Sequence, residues 1–203
     1  MIMKRILTMV LILCLSITLA GCLEKSVSLE NEEVLENEEI QENEKAVFRV
    51  SDYDIWITTP SDWEEAETDN LDLQLENLKA DMILSAYGYY KIDMAEGQQA
   101  QDLFEEQNEL ILSRRDHVTE LEPMTSMDDT EKTIYSALYS AERSGSKNYY
   151  NFFFIDFKHT DSMVWILFTG IPSSIEKNRD GINDIISKVQ DTNPLDTPSL
   201  NVF

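Results

Sequence analysis

Histidine and cysteine are nearly missing from these 203 residues: each occurs twice, against 39 Asp and Glu. His117, in Arg114-Arg115-Asp116-His117, and His159, in Lys158-His159-Thr160-Asp161, each read as loop residues near the end of an element. A metal centre needs several such ligands on one face, and no His-x-x-x-His or Glu-x-x-His pair delivers them. Exposed loop histidines are the plainer reading. Glycine is scarce as well, at six. The chain has no Gly-x-Ser-x-Gly nucleophile turn, no Gly-x-x-x-x-Gly-Lys phosphate loop and no dinucleotide fingerprint. Ser144-Gly145-Ser146 fits a hairpin turn, and Asp180-Gly181-Ile182-Asn183-Asp184 lacks the alternating acids of a calcium loop. Carboxylates are so abundant that a glycosidase-like pair carries no information. With nucleophile, metal and cofactor signatures all missing, the expectation is a protein that is no enzyme and holds neither metal nor cofactor.

Positive charge is also in short supply, with 16 Lys and Arg and a formal net charge of −23. Nucleic acid and anionic headgroups repel such a chain, so no nucleic-acid partner is expected. Basic proteins, cations and neutral ligands remain, beside the plainer meaning of acidity, a well-solvated surface. Long apolar runs are absent except one: residues 6–19 follow Lys4 and Arg5 and end in small residues. That is the layout of a signal peptide, shorter than the roughly 20 residues of a comfortable membrane span.

Leu19-Ala20-Gly21-Cys22 resembles the lipobox of bacterial lipoproteins. The resemblance implies cleavage between Gly21 and Cys22, with diacylglycerol on the Cys22 sulfur and the protein held by a palmitate-type lipid anchor on the extracytoplasmic face of the cell membrane. The alternative is an ordinary secretory signal that contains a cysteine. Cys14 lies in the discarded run, so the mature domain would have no free thiol, which excludes disulfides and thiolate sites. No polybasic patch assists, and lipid would be the only grip on the membrane.

The residues divide into a signal peptide (1–21), a lipidated cysteine and acidic tether (22–45), one domain (46–191) and a tail (192–203). The tether repeats every six residues, as in Leu29-Glu30-Asn31-Glu32-Glu33-Val34 and Leu35-Glu36-Asn37-Glu38-Glu39-Ile40. Six is not a helical period, and the like charges repel, so this is an extended spacer of roughly 30 Å as a coil and about 80 Å when stretched. Diffuse calcium binding to its acids is a second use of the same residues.

Within the domain, residues 46–50 and 54–59 alternate as a hairpin that runs into Pro60-Ser61-Asp62-Trp63, whose Trp is expected to pack back onto the sheet. Leu71, Leu73 and Leu75 alternate as a strand, and residues 82–91 follow as the next. Residues 98–115 have helical period, with Leu103, Phe104, Leu110 and Ile111 on the apolar stripe and Glu105, Glu106, Glu109 and Arg115 away from it. Residues 133–143, 149–158 and 163–170 form a three-strand meander. Its middle strand is apolar on both parities, as where a sheet is covered on both sides. Ser173-x-x-Glu176 behind Pro172 reads as a capping box opening a last helix, with Ile175, Ile182, Ile185, Ile186 and Val189 as its stripe. The expected class is α/β in the α+β sense, a mainly antiparallel sheet with helices packed on both faces.

This order of elements, behind a lipid tether and with the Pro60-Ser61-Asp62-Trp63 turn, resembles the PsbP-like fold across residues 46–191. That superfamily includes the extrinsic photosystem II protein, a Ran-binding nuclear import factor and many bacterial lipoproteins. The resemblance implies a fold and, because its known members are mostly non-enzymatic binding or assembly factors, an accessory role. Tyr87, Tyr89, Tyr90, Tyr149, Tyr150, Phe152, Phe153, Phe154 and Trp165 read first as core at strand spacing. Tyr87, Tyr89 and Tyr149 are the candidate binding surface, since a phenol joins an apolar body to a polar tip. Two functions follow: an accessory lipoprotein that binds another envelope protein, or a carrier of a small apolar ligand or glycan between helix and sheet.

Overall fold

In the structure, a computed structural model that describes residues 44–195, the chain enters the fold through a hairpin. The signal segment, Gly21, Cys22 and the acidic repeat lie outside the described residues. β1 (Lys45–Val50) and β2 (Ile55–Pro60) pair antiparallel, and Asp52 in their turn takes a left-handed φ of 61°. β2 buries Ile55, Ile57 and Thr59 on one parity. Trp63 then turns back into the core and meets Phe168 edge-on, with 5.9 Å between ring centroids.

The remaining elements are β3 (Glu64–Glu65), β4 (Leu73–Asn77), β5 (Met82–Tyr90), a 3-10 turn (Lys91–Asp93), α1 (Ala100–Leu112), β6 (Asp116–Asp128), β7 (Lys132–Arg143), β8 (Ser146–Phe157), β9 (Ser162–Gly170), α2 (Pro172–Lys177) and α3 (Arg179–Ser187). β3 to β9 make one seven-stranded sheet in the order β3-β4-β5-β9-β8-β7-β6, every neighbouring pair antiparallel. The β7–β8 turn is the two-residue Ser144-Gly145, with φ of 54° and 79°, the paired left-handed geometry that matches strand twist.

Three expectations need correction. The meander has four strands, because residues 116–128 form β6, a sheet edge whose residues are all exposed except the half-buried Met124. Three register shifts and Pro123 interrupt its pairing, and such features are tolerated at an edge. The last helix is two helices, broken at Asn178, and Ser173 is no cap. Pro172 occupies the first helical position and Ile171 the cap, with no side-chain cap bond, while Glu176 is engaged by Tyr149. The helical stripe is also rotated: Leu110 is 48% exposed, whereas Asn108 is buried.

Two apolar clusters lie on opposite parities of the central strands. One joins Phe153, Ile155, Val164, Ile166 and Phe168 to the β1–β2 hairpin and to Ile175, Ile182, Ile185 and Ile186. The other joins Phe152, Phe154, Met163, Trp165 and Leu167 to Leu103 and Phe104 of α1. Each fully buried Phe, Ile or Leu contributes about 1.5–3 kcal/mol. The hairpin is also tied by backbone to the residues after α3: Trp56 N–H donates to the Gln190 carbonyl at 2.8 Å, and Gln190 N–H returns the bond at 3.1 Å. Buried Lys132 donates to the carbonyls of Ser187 (2.8 Å) and Val189 (2.7 Å). It thus fastens β7 to the end of α3, although burial pushes its ammonium below the ordinary lysine value.

Gly88 sits under the ring of Tyr53, where an added Cβ would come within 2.4 Å of it. Gly88→Ala is expected to cost about 1–3 kcal/mol in urea denaturation, and Tyr53→Ala in the same chain should relieve much of that cost, since removing the ring removes the clash. Additive penalties would contradict the contact. A second expectation concerns acid. Asp129 accepts the backbone N–H groups of Lys132 and Glu131, each at 2.7 Å, and its carboxyl is held below the usual range by those bonds. The lowered folded value means that this contribution is complete above the ordinary carboxylate range and fades as pH falls through it. Asp129→Ala should therefore lower Tm at pH 7 and flatten the loss of Tm below about pH 4. An acid limb with unchanged slope would argue against it.

Candidate functional site

Helix α1 begins where Asp102 accepts the Gln99 backbone N–H at 2.8 Å, half of a capping box. Phe104, Asn108 and Ile111 recur at helical spacing, and Arg115 continues the series just beyond the last turn. From the sequence, Arg115 is expected away from the apolar stripe. Instead it turns inward, and its Nε donates to the hydroxyl of buried Tyr150 at 2.9 Å. Asn108 is the helix's polar anchor: its Oδ1 accepts the Trp165 indole N–H at 3.0 Å, both groups buried. A polar residue on an apolar stripe is the signal that would have found it, because a buried amide needs a partner.

α1 covers part of this sheet face and leaves an open trough on either flank. The larger, of about 610 Å³, runs over β4, β5 and β9. Ile111, Trp165, Leu167, Ile83 and Ile171 supply its apolar lining, and Gln74, Ser85, Thr169 and Asn148 its polar one. Ile83 and Ile171 are exposed, as is Leu78 at the rim. Arg115 and Arg143 line it without a carboxylate within salt-bridge distance among the described residues, whereas Arg49 and Arg179 are both paired. Glu76 and Asp81 line its β4–β5 end. On the other flank a cleft of about 530 Å³ separates α1 from β6 and β7.

The three candidate tyrosines do not form one surface. Tyr87 and Tyr89 share this face of β5, their rings 5.1 Å apart, with Tyr87 exposed and Tyr89 leaning on Phe154. Burial, followed by the fields of Tyr87 and Asp72, raises the Tyr89 phenol. Tyr149 lies on the opposite face, where its hydroxyl donates to Glu176 at 3.1 Å. His117 is no loop residue but the second residue of β6, at φ 51°, while His159 sits in the β8–β9 turn. They are exposed, and among the described residues no cluster of His, Cys, Asp and Glu is arranged to hold a metal ion. No helix among the described residues is long and apolar enough to cross a membrane.

No protein-family model matches the chain, and no curated protein sequence does. Solved structures do. The solution structure of cyanobacterial PsbP (CyanoP) from Synechocystis sp. PCC 6803 is similar with a TM-score of 0.56 at 8% identity, over 75% of this chain and 95% of that one. The Saccharomyces cerevisiae Ran-binding protein Mog1p is similar with a TM-score of 0.53 at 10% identity, over 74% and 97%. The chain has a PsbP/Mog1-like fold, a mostly antiparallel sheet with a few helices.

Asn108→Leu keeps the helix stripe apolar but strands the Trp165 N–H in the core. The expected loss is about 1–3 kcal/mol by urea denaturation, with a shift of the Trp165 indole N–H resonance. An unchanged resonance would show that the bond is not made.

Proposed function

We propose that this chain is a non-catalytic accessory protein of the bacterial cell envelope, lipid-anchored through Cys22 on the extracytoplasmic side of the membrane, which docks an envelope protein against the sheet face beside α1. The lipoprotein part of the reading rests on Lys4 and Arg5, the apolar run and Leu19-Ala20-Gly21-Cys22. The docking part rests on one observation: an open trough of about 610 Å³ with a partly apolar lining, exposed Ile83, Ile171 and Leu78 around it and two arginines without a carboxylate partner among the described residues. Exposed apolar side chains around an open trough support an interaction site, and arginine is enriched at protein interfaces.

The reading includes helices on both faces of the sheet, α1 on one and α2 with α3 on the other, with both flanks of α1 open. It assigns no reaction. The trough opens to solvent, which favours a macromolecule over an enclosed lipid or glycan; a carried small ligand is the second outcome of the test below. The name of Mog1p describes that protein's binding to Ran, and at 10% identity it identifies no partner here.

Two measurements test the proposal. Metabolic labelling with palmitate is expected to mark the wild-type protein and not Cys22→Ser, which should also leave the membrane fraction; equal labelling of both would overturn the anchor. Photo-crosslinkers placed at Ile83 and Tyr87 in native membranes should give a reproducible envelope-protein adduct that a crosslinker at Asp54, in the β1–β2 turn, does not give. Adducts confined to lipid or glycan would replace the accessory reading with the carrier one.

A further inference from the structure

The cleft on the second flank of α1 differs from the first in charge. Its floor is apolar: Phe104 and Ala137 are buried, Leu112 and Met124 half-buried, and Val118 of β6 is exposed. Its rim is acidic on both walls. Glu105 and Glu109 stand one helical turn apart on α1, and Glu120 faces them from β6. No Lys or Arg is among the residues that line it. Tyr139 lies between the walls, donating its hydroxyl to Glu120 at 3.2 Å. Its phenol is raised first by burial, then by the charge and hydrogen bond of Glu120 and by the charge of Glu105, so the fields of both walls meet there.

Asn108 adds a directional group. It is 95% buried by its 5% exposure and lines the cleft, and its Oδ1 is taken by the Trp165 N–H. That bond orients the amide and leaves its two Nδ2 hydrogens without a protein acceptor among the described residues. An oriented donor within reach of solvent at the floor of an open cleft can be met by a carbonyl. A small cation would satisfy the acids but leave the floor wet and the amide unused. A polypeptide satisfies all three features.

We propose that the cleft between α1 and β6 docks a polypeptide segment that presents Lys or Arg together with apolar side chains, its cations between Glu105, Glu109 and Glu120 and one of its carbonyls on Asn108. This inference rests on the accessory-protein reading and specifies the chemistry of a partner at a second surface. Opposed like charges across an open cleft repel, and a cationic segment relieves that repulsion while its apolar side chains cover the floor.

The test is fluorescence anisotropy of a labelled ten-residue peptide of alternating Lys and Leu, titrated with the full lipidated chain in detergent. The triple variant Glu105→Gln, Glu109→Gln, Glu120→Gln should weaken binding by about tenfold. A control that removes the same charge elsewhere, Glu64→Gln, Glu65→Gln, Glu96→Gln, should change it by less than about twofold. Replacing Leu by Ser in the peptide should weaken binding as well. Equal weakening by the two triples would overturn the proposal in favour of general attraction to an acidic surface, and so would undiminished binding of the Lys-Ser peptide. Because crosslinking at Ile83 and Tyr87 reports on the other flank, the cleft can fail while the accessory reading stands, and the reverse.

Discussion

Strands β8 and β9 carry apolar side chains on both parities, so neither side of the sheet they centre can be left to water. Phe152, Phe154, Trp165 and Leu167 face one way; Phe153, Ile155, Ile166 and Phe168 face the other. Burying such residues dominates the folding free energy, and the remaining elements are placed by that need. The β1–β2 hairpin and the isoleucines after Pro172 complete one cluster. α1 completes the other, held by the bond between Asn108 and Trp165.

The open flanks beside α1 follow from a mismatch of size. A 13-residue helix is about 20 Å long and about 10 Å thick, while seven strands spaced at about 4.8 Å span about 29 Å. One helix therefore leaves flanks uncovered, and the flanks differ in charge because different strands border them. Arg115 and Arg143 line one side, and Glu105, Glu109 and Glu120 the other. The first flank thus carries two cations beside its apolar lining, whereas the acids of the second stand over an apolar floor and the Asn108 amide.

Much of this fold is legible in the sequence where burial imposes a pattern. The alternation of Ile55 and Ile57, of Leu73 and Leu75, and of residues 149–157 marks strands because one or both faces are buried. β6 is not legible, since an edge strand held mainly by its bonds to β7 buries almost nothing and its residues carry no period. The start of α2 misleads for a related reason: Ser173 and Glu176 have capping-box spacing, but Pro172 already occupies the first helical position. The candidate site is less legible still. Tyr87 and Tyr89 share a face of β5 with Ile83 and Ser85 of the larger trough without lining it, and Tyr149 lies on the other face, because parity within one strand does not say how it aligns with the parity of another until the register is known. Arg115, Asn108 and the two flanks emerge only once α1 is laid on the sheet.

The proposal that the sheet face beside α1 docks an envelope protein can be tested through hydrogen–deuterium exchange of the full chain, comparing cell-envelope membranes with detergent solution. The account predicts that the membranes slow exchange in β4, β5 and the C-terminal half of α1, with the β1–β2 hairpin and α3 unchanged. Identical exchange in the two settings, or protection confined to the hairpin and α3, would contradict it.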